Sequence, residues 1–288
     1  MPWIKRGKCL RRSTDWSGAC TALVDVVAGD FNKDGQTDYV IAEFGTHSGK
    51  LSPHFCQPDR TLRETVLLEE AGAISLAVTR DDLWVLVAHA DERFLRLKDF
   101  GAGTPVAETI LRFPPSYGSN DLQVLDFNGD GRMDLLYAAG GNADITPIFK
   151  PYHGIYLFTG QTDGSFQQEM FFHLDGATAA LAEDFDQDGD QDIAAIAYYG
   201  NIDQGLDQAR VAYLQNNDGV FEAKSVDSLG RIGRFIAISS GDIDGDGDMD
   251  VALANMSFGP CGPLKVSPDL QGQWLKGPRF VLLRNQLR

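Results

Sequence analysis

Four short stretches of this sequence concentrate oxygen ligands at a regular spacing. They read DFNKDGQTD (30–38), DFNGDGRMD (126–134), DFDQDGDQD (184–192) and DIDGDGDMD (242–250), and they align without gaps as D-x-[DN]-x-D-G-x-x-D. Carboxylates crowded this closely repel one another unless a cation sits among them. Side chains at positions one, three and five alternate inward. Glycine at six permits a sharp turn, position seven offers its backbone carbonyl, and the aspartate at nine closes the shell. An all-oxygen set with this many donors suits a hard cation, Ca²⁺ over Mg²⁺. The ligand sets are Asp30, Asn32, Asp34, Gln36 and Asp38; Asp126, Asn128, Asp130, Arg132 and Asp134; Asp184, Asp186, Asp188, Asp190 and Asp192; and Asp242, Asp244, Asp246, Asp248 and Asp250. That makes four ions, one per loop.

The motifs begin at residues 30, 126, 184 and 242, at intervals of 96, 58 and 58. The first interval is close to two periods, so a further unit belongs near residue 78. The segment AISLAVTRDDLWVLVAHA (73–90) fills that place with two apolar runs about a polar turn, Arg80-Asp81-Asp82, and without the metal-type acids. In each unit an apolar run precedes the loop and another follows it, as in DYVIAEF, DLLYAAG, DIAAIAYY and DVALANM. A third and a fourth run come after, as in GIYLFTG and QEMFFHL. Short runs rich in Val, Ile, Phe and Tyr, bounded by Gly, Asn, Asp and Pro, are strand signals. Four short strands per unit predict an all-β chain, a five-bladed β-propeller of four-stranded antiparallel blades. The blades are expected at about 20–70, 71–114, 118–174, 176–228 and 232–288, as one domain. The last unit ends at its third strand, RFVLLRNQLR, and PWIKRGKCL (2–10) is the spare strand expected to complete it. Helix-flanked calcium hands and dockerin-like modules fit less well: the flanks are short and strand-like, without caps, and no Glu stands at position twelve.

The net charge of −16 argues against nucleic acid as a partner, since phosphate binding needs clustered Lys and Arg. It argues equally against an anionic membrane surface. No apolar run reaches the roughly 18–20 residues that span a bilayer. The N-terminal MPWIKRGKCLRR is basic but lacks an apolar signal core, so either the chain stays inside or a leader was trimmed. Cys9, Cys20, Cys56 and Cys261 form no C-x-x-C pair, which disfavours a zinc or thioredoxin-like centre and leaves disulfides permitted.

The loops resemble the FG-GAP/VCBS repeat family, found in the propeller heads of integrin α-subunits and in many secreted bacterial proteins. Phe44-Gly45 and Phe258-Gly259 follow the second strand as the family name implies; Gly140-Gly141 and Tyr199-Gly200 stand there in the third and fourth units. The resemblance covers nearly the whole chain. It implies calcium between the first two strands of units one, three, four and five, not two, and an extracellular or periplasmic location. The connections between second and third strands, 45–50, 140–153, 200–209 and 257–278, then lie on the opposite face. Loops on a rigid scaffold are where binding usually resides. A protein or glycan partner is expected there, at Asn142, Asp144, Lys150, Tyr152, His153, Asn201 and Asp203, on a monomer or part of a larger chain. Cys20–Cys261 is the expected disulfide, with no evident partner for Cys9 or Cys56. No G-x-S-x-G, H-E-x-x-H or phosphate loop is present. The alternative is a polysaccharide-active enzyme, hydrolase or lyase, in the central funnel, with Glu43 and Asp144 as spare carboxylates. A purely structural domain is a third reading.

Overall fold

A computed structural model gives the chain as an all-β fold of the five-bladed β-propeller type, built from five antiparallel meander sheets. It describes residues 22–45, 48–80, 82–88, 91–101, 105–141, 148–199, 211–225, 229–257 and 266–286. The chain divides into two compact units, Met1–Pro115 and Ser116–Arg288.

The first unit holds two sheets. One is β1 (Ala22–Gly29), β2 (Asp38–Phe44), β3 (Lys50–Cys56) and β4 (Leu62–Glu64), and the other is β5 (Ala73–Thr79), β6 (Asp82–Val87), β7 (Glu92–Lys98) and β8 (Val106–Phe113). Val40, Ala42 and Leu51 from the first pack on Leu76, Val85 and Leu95 from the second.

The second unit holds three. β9 (Ser119–Leu125), β10 (Asp134–Ala139), β11 (Gly154–Gly160) and β12 (Phe166–His173) form one, and β13 (Ala177–Glu183), β14 (Asp192–Ala197), β15 (Val211–Asn217) and β16 (Val220–Ser225) form the next. In the last, β17 (Phe235–Gly241), β18 (Asp250–Asn255) and β19 (Phe280–Leu283) pair as three strands among the described residues. The proposed closing strand, 2–10, lies outside the described residues.

The middle strands explain the sequence pattern. β10, β11 and β14 are buried along their whole length, and they read as continuous apolar runs. In the outer β12, Phe166, Met170 and Phe172 are half-buried and the other positions are exposed.

Among the described residues, two helices stand within this all-β frame: α1 (Leu229–Ile232) and α2 (Pro268–Lys276). The second lies within the connection 257–278. Ser267 Oγ caps it by accepting the Leu270 N–H at 3.2 Å, Pro268 and Asp269 occupy the first turn, and Lys276 the last. Trp274 anchors it, fully buried, with Nε1 donating to Gly230 O at 2.9 Å. No helix among the described residues is long and apolar enough to cross a membrane.

Candidate metal centres

Each acidic loop joins the first strand of its sheet to the second, and the four share one hydrogen-bond grammar. The aspartate at position one accepts the N–H of the glycine at six: Gly35 to Asp30 Oδ2 at 2.8 Å, Gly131 to Asp126 at 2.9 Å, Gly189 to Asp184 at 3.1 Å and Gly247 to Asp242 at 3.2 Å. Position five accepts from seven, through Gln36 to Asp34, Arg132 to Asp130, Asp190 to Asp188 and Asp248 to Asp246. The glycine is required by its backbone, not by crowding. Its φ is 84°, 85°, 101° and 95° in the four loops, while nothing lies within 4 Å of where a Cβ would be.

The aspartate at position nine does a different job. Asp38, Asp134, Asp192 and Asp250 are almost wholly buried, at 0%, 0%, 0% and 1% exposure. One oxygen accepts the N–H of position two: Phe31 at 3.2 Å, Phe127 at 2.9 Å, Phe185 at 3.3 Å and Ile243 at 3.0 Å. The other accepts an N–H from the end of the third strand or just beyond it: Cys56 at 2.8 Å, Gly160 at 2.8 Å, Asn216 at 2.7 Å and Asn285 at 2.9 Å. The carboxylate knots loop and third strand together in every motif-bearing sheet. Burial holds Asp38, Asp134 and Asp192 above the usual carboxylate range in spite of these N–H donors.

The remaining carboxylates converge. One oxygen each from Asp184, Asp186 and Asp188 lie within 4.8 Å of one another, and so do oxygens of Asp242, Asp244 and Asp246. In the other two loops Asn32 and Asn128 place an amide at position three. Desolvation, with the adjacent Asp246 and Asp250, raises the Asp244 carboxyl. Asp126 Oδ1 and Asp184 Oδ1, both at position one, are buried atoms with no hydrogen-bond partner. A buried anionic oxygen left without a donor is costly, and a cation at the loop centre satisfies it. The residues present therefore fit a hard cation.

On the other connections, Lys150 Nζ donates to Ser116 O at 2.7 Å and lies 5.7 Å from the Tyr152 ring centre. Tyr152 stacks on Tyr117, centroids 4.8 Å apart and planes 15° from parallel. His153 is completely buried beneath them, with neither ring nitrogen hydrogen-bonded. Asn142, Asp144, Asn201 and Asp203 lie outside the described residues. Glu43 is buried and paired with Lys50 Nζ at 3.3 Å. Cys56 is disulfide-bonded, which corrects the expectation that it has no partner. Cys9, Cys20 and Cys261 lie outside the described residues, and the expected Cys20–Cys261 pair with them. Two clefts open beside the loops of the second unit. One of about 540 Å³ is lined by Asp126, Asn128, Asp190 and Asp218, and a more apolar one of about 300 Å³ by Phe185, Tyr213, Met249 and Leu283.

Known structures align with the chain at low identity and low TM-score. A GH32 beta-fructofuranosidase of Bombyx mori aligns with TM-score 0.39 and 12% identity over 78% of this chain and 55% of that one. The V. cholerae biofilm matrix protein Bap1 aligns with TM-score 0.41 and 16% identity over 81% of this chain and 35% of that one. The chain thus spans about half the enzyme's length and about a third of the matrix protein's. No curated protein sequence matches it. A family profile does: residues 184–253, which hold the two all-aspartate loops and the strands between them, match the FG-GAP-like repeat.

Proposed function

We propose that this protein is a calcium-stabilised recognition module working outside the cytoplasm, binding a protein or glycan through the connections between second and third strands. The observation that carries the calcium reading is the pair of buried, unpartnered oxygens, Asp126 Oδ1 and Asp184 Oδ1, at the same position of two loops. The side chains at positions one, three and five, with the position-seven carbonyl, would hold each ion, four sites in all, while the aspartate at nine braces the loop through its two backbone N–H bonds. When bound, it neutralises the clustered carboxylates and ties the hairpin turn to the end of the third strand. The chain's own part is to aim those oxygens, through the glycine turn and the buried aspartate knot.

The Cys56 disulfide supports an oxidising compartment, where calcium is also abundant enough for loops of modest affinity. Within a meander sheet the second-to-third connection leaves from the strand ends opposite the acidic loop. Binding on those connections leaves the ions to hold the scaffold. The stacked Tyr117 and Tyr152, with Lys150 beside them, offer an aromatic and cationic surface there. Equilibrium dialysis against ⁴⁵Ca²⁺ tests the first half; uptake of four ions supports it and uptake of none overturns it. Glycan and protein arrays probed in calcium test the second, with Tyr152→Ala expected to abolish any hit.

A further inference from the structure

The four acidic loops differ in what the side chain at position seven does. In 126–134 that residue is Arg132, and its Nη2 ion-pairs with Asp130 Oδ2. The same guanidinium is anchored from behind, Nε donating to Gly160 O at 2.6 Å. Gly160 in turn donates its N–H to Asp134 Oδ1 at 2.8 Å. A positive charge therefore occupies the position-five ligand and is held there by the strand end that the position-nine aspartate also grips. Elsewhere the same position carries the neutral Gln36 or the carboxylates of Asp190 and Asp248. Arg284 approaches Asp244 only to 3.5 Å and is 63% exposed, so solvent screens it more. Arg132 is 39% exposed and Asp130 24%.

We propose that Arg132 is the affinity-determining residue of the 126–134 site. It is a tethered cation that competes with the divalent ion for Asp130 and sets this site below the two all-aspartate loops. The proposal rests on the calcium reading above. To bind with its full ligand set, the ion must share Asp130 or expel the guanidinium from it. The buried Asp126 Oδ1, which has no protein donor, keeps the site attractive in spite of that competition. In the all-aspartate loops, among the described residues, the rival guanidinium is Arg284, which stands 3.5 Å from Asp244 and is more exposed than Arg132.

Calorimetric titration of Ca²⁺ into chelator-stripped protein tests it, using wild type, Arg132→Gln, Arg132→Lys and Asp126→Asn. Arg132→Gln should tighten one weak step by several-fold to about tenfold, the scale of a partly exposed ion pair. Adding Asp126→Asn to it should remove that same step. Arg132→Lys, whose charge is unforked and less firmly held, should fall between. A structural role alone would instead lower the melting temperature of the stripped Arg132→Gln protein and weaken binding. Superimposable isotherms for wild type and Arg132→Gln overturn the proposal. So does loss of a tight step when Asp126→Asn is made in the wild-type background, a result that does not depend on how the Arg132 variants fold. A wild type that takes up no calcium at all is a separate outcome, and it is the calcium reading that then fails.

Discussion

Arg96 on β7 reaches Asp82 at the start of β6, with Nε donating to Asp82 Oδ2 at 2.8 Å and Nη2 ion-paired to the same oxygen. Asp82 opens the second strand of its sheet just as Asp38, Asp134, Asp192 and Asp250 open theirs. The sheet of β5 to β8 has therefore kept the last aspartate of the motif. Where the other four receive a backbone N–H near the end of the third strand, this one receives a guanidinium from that strand. The guanidinium also lies 5.1 Å from the Trp84 ring centre, and Trp84 Nε1 donates to Thr79 Oγ1 at 2.7 Å across the turn. The sheet without an acidic loop carries a guanidinium at this place.

That substitution predicts a blade indifferent to metal. Arg96→Gln should lower stability by about 1 kcal/mol, within the range for a partly exposed ion pair with a cation–π contact. The loss should be the same with and without chelator. Thermal unfolding of both proteins in both buffers measures it, and a loss seen only in calcium would contradict it.

Removing calcium should act on the other four sheets. Chelation should lower the melting temperature and added Ca²⁺ restore it, because a ligand bound only by the folded chain stabilises it by mass action. Asp246→Ala should weaken one site and leave the others titrating normally. A melting curve that chelator does not move would remove calcium from the account of stability.

The buried knot should cost more than any exposed ligand. Asp134→Ala strands the N–H groups of Phe127 and Gly160, each a loss of about 1–3 kcal/mol when buried. Asp130→Ala, at a more exposed position, should cost about 1 kcal/mol or less in the absence of calcium. Chemical denaturation of the stripped proteins ranks the two, and the reverse order would refute the separation of roles.

His153 should confer acid sensitivity. Burial, with Lys150 and His173 nearby, lowers its pKa from 6.5 to about 4. The folded state favours the neutral ring, so the unfolded chain binds the proton more readily. The contribution is complete above pH 6.5 and is lost as the pH falls from there to about 4, reaching at most about 3 kcal/mol. Comparing urea unfolding of wild type and His153→Leu across that range isolates it. Parallel pH profiles would show that the imidazole does not titrate in this way.

The disulfide at Cys56 should tighten the first loop. The Cys56 N–H aims the Asp38 carboxylate at 2.8 Å, and its Sγ lies 3.4 Å from Gln36 Oε1. Reduction should cost about 2–4 kcal/mol overall and weaken one calcium site preferentially. Competition with a fluorescent calcium chelator, before and after reduction, reads the site directly; an unchanged binding curve would separate thiol chemistry from metal.

What was legible in the sequence was local. A nine-residue loop closes on itself: its glycine turn and the bonds from six to one and from seven to five span only a few residues, so composition and spacing are enough to specify them. The strands were legible for a similar reason, because burial along a whole strand writes itself directly into β10. The cap at Ser267 was also in plain view, and α2 went unread only because its face is short and weakly apolar. What tertiary structure decided was which distant groups meet the ends of these local pieces. The knot from Asp192 to Asn216 spans 24 residues and that from Asp250 to Asn285 spans 35. No periodicity marks Arg96 as the partner of Asp82, or Arg132 as a cation held inside its own loop. A charge's effect depends on the few ångströms to its neighbour and on the water excluded between them, and folding alone sets both.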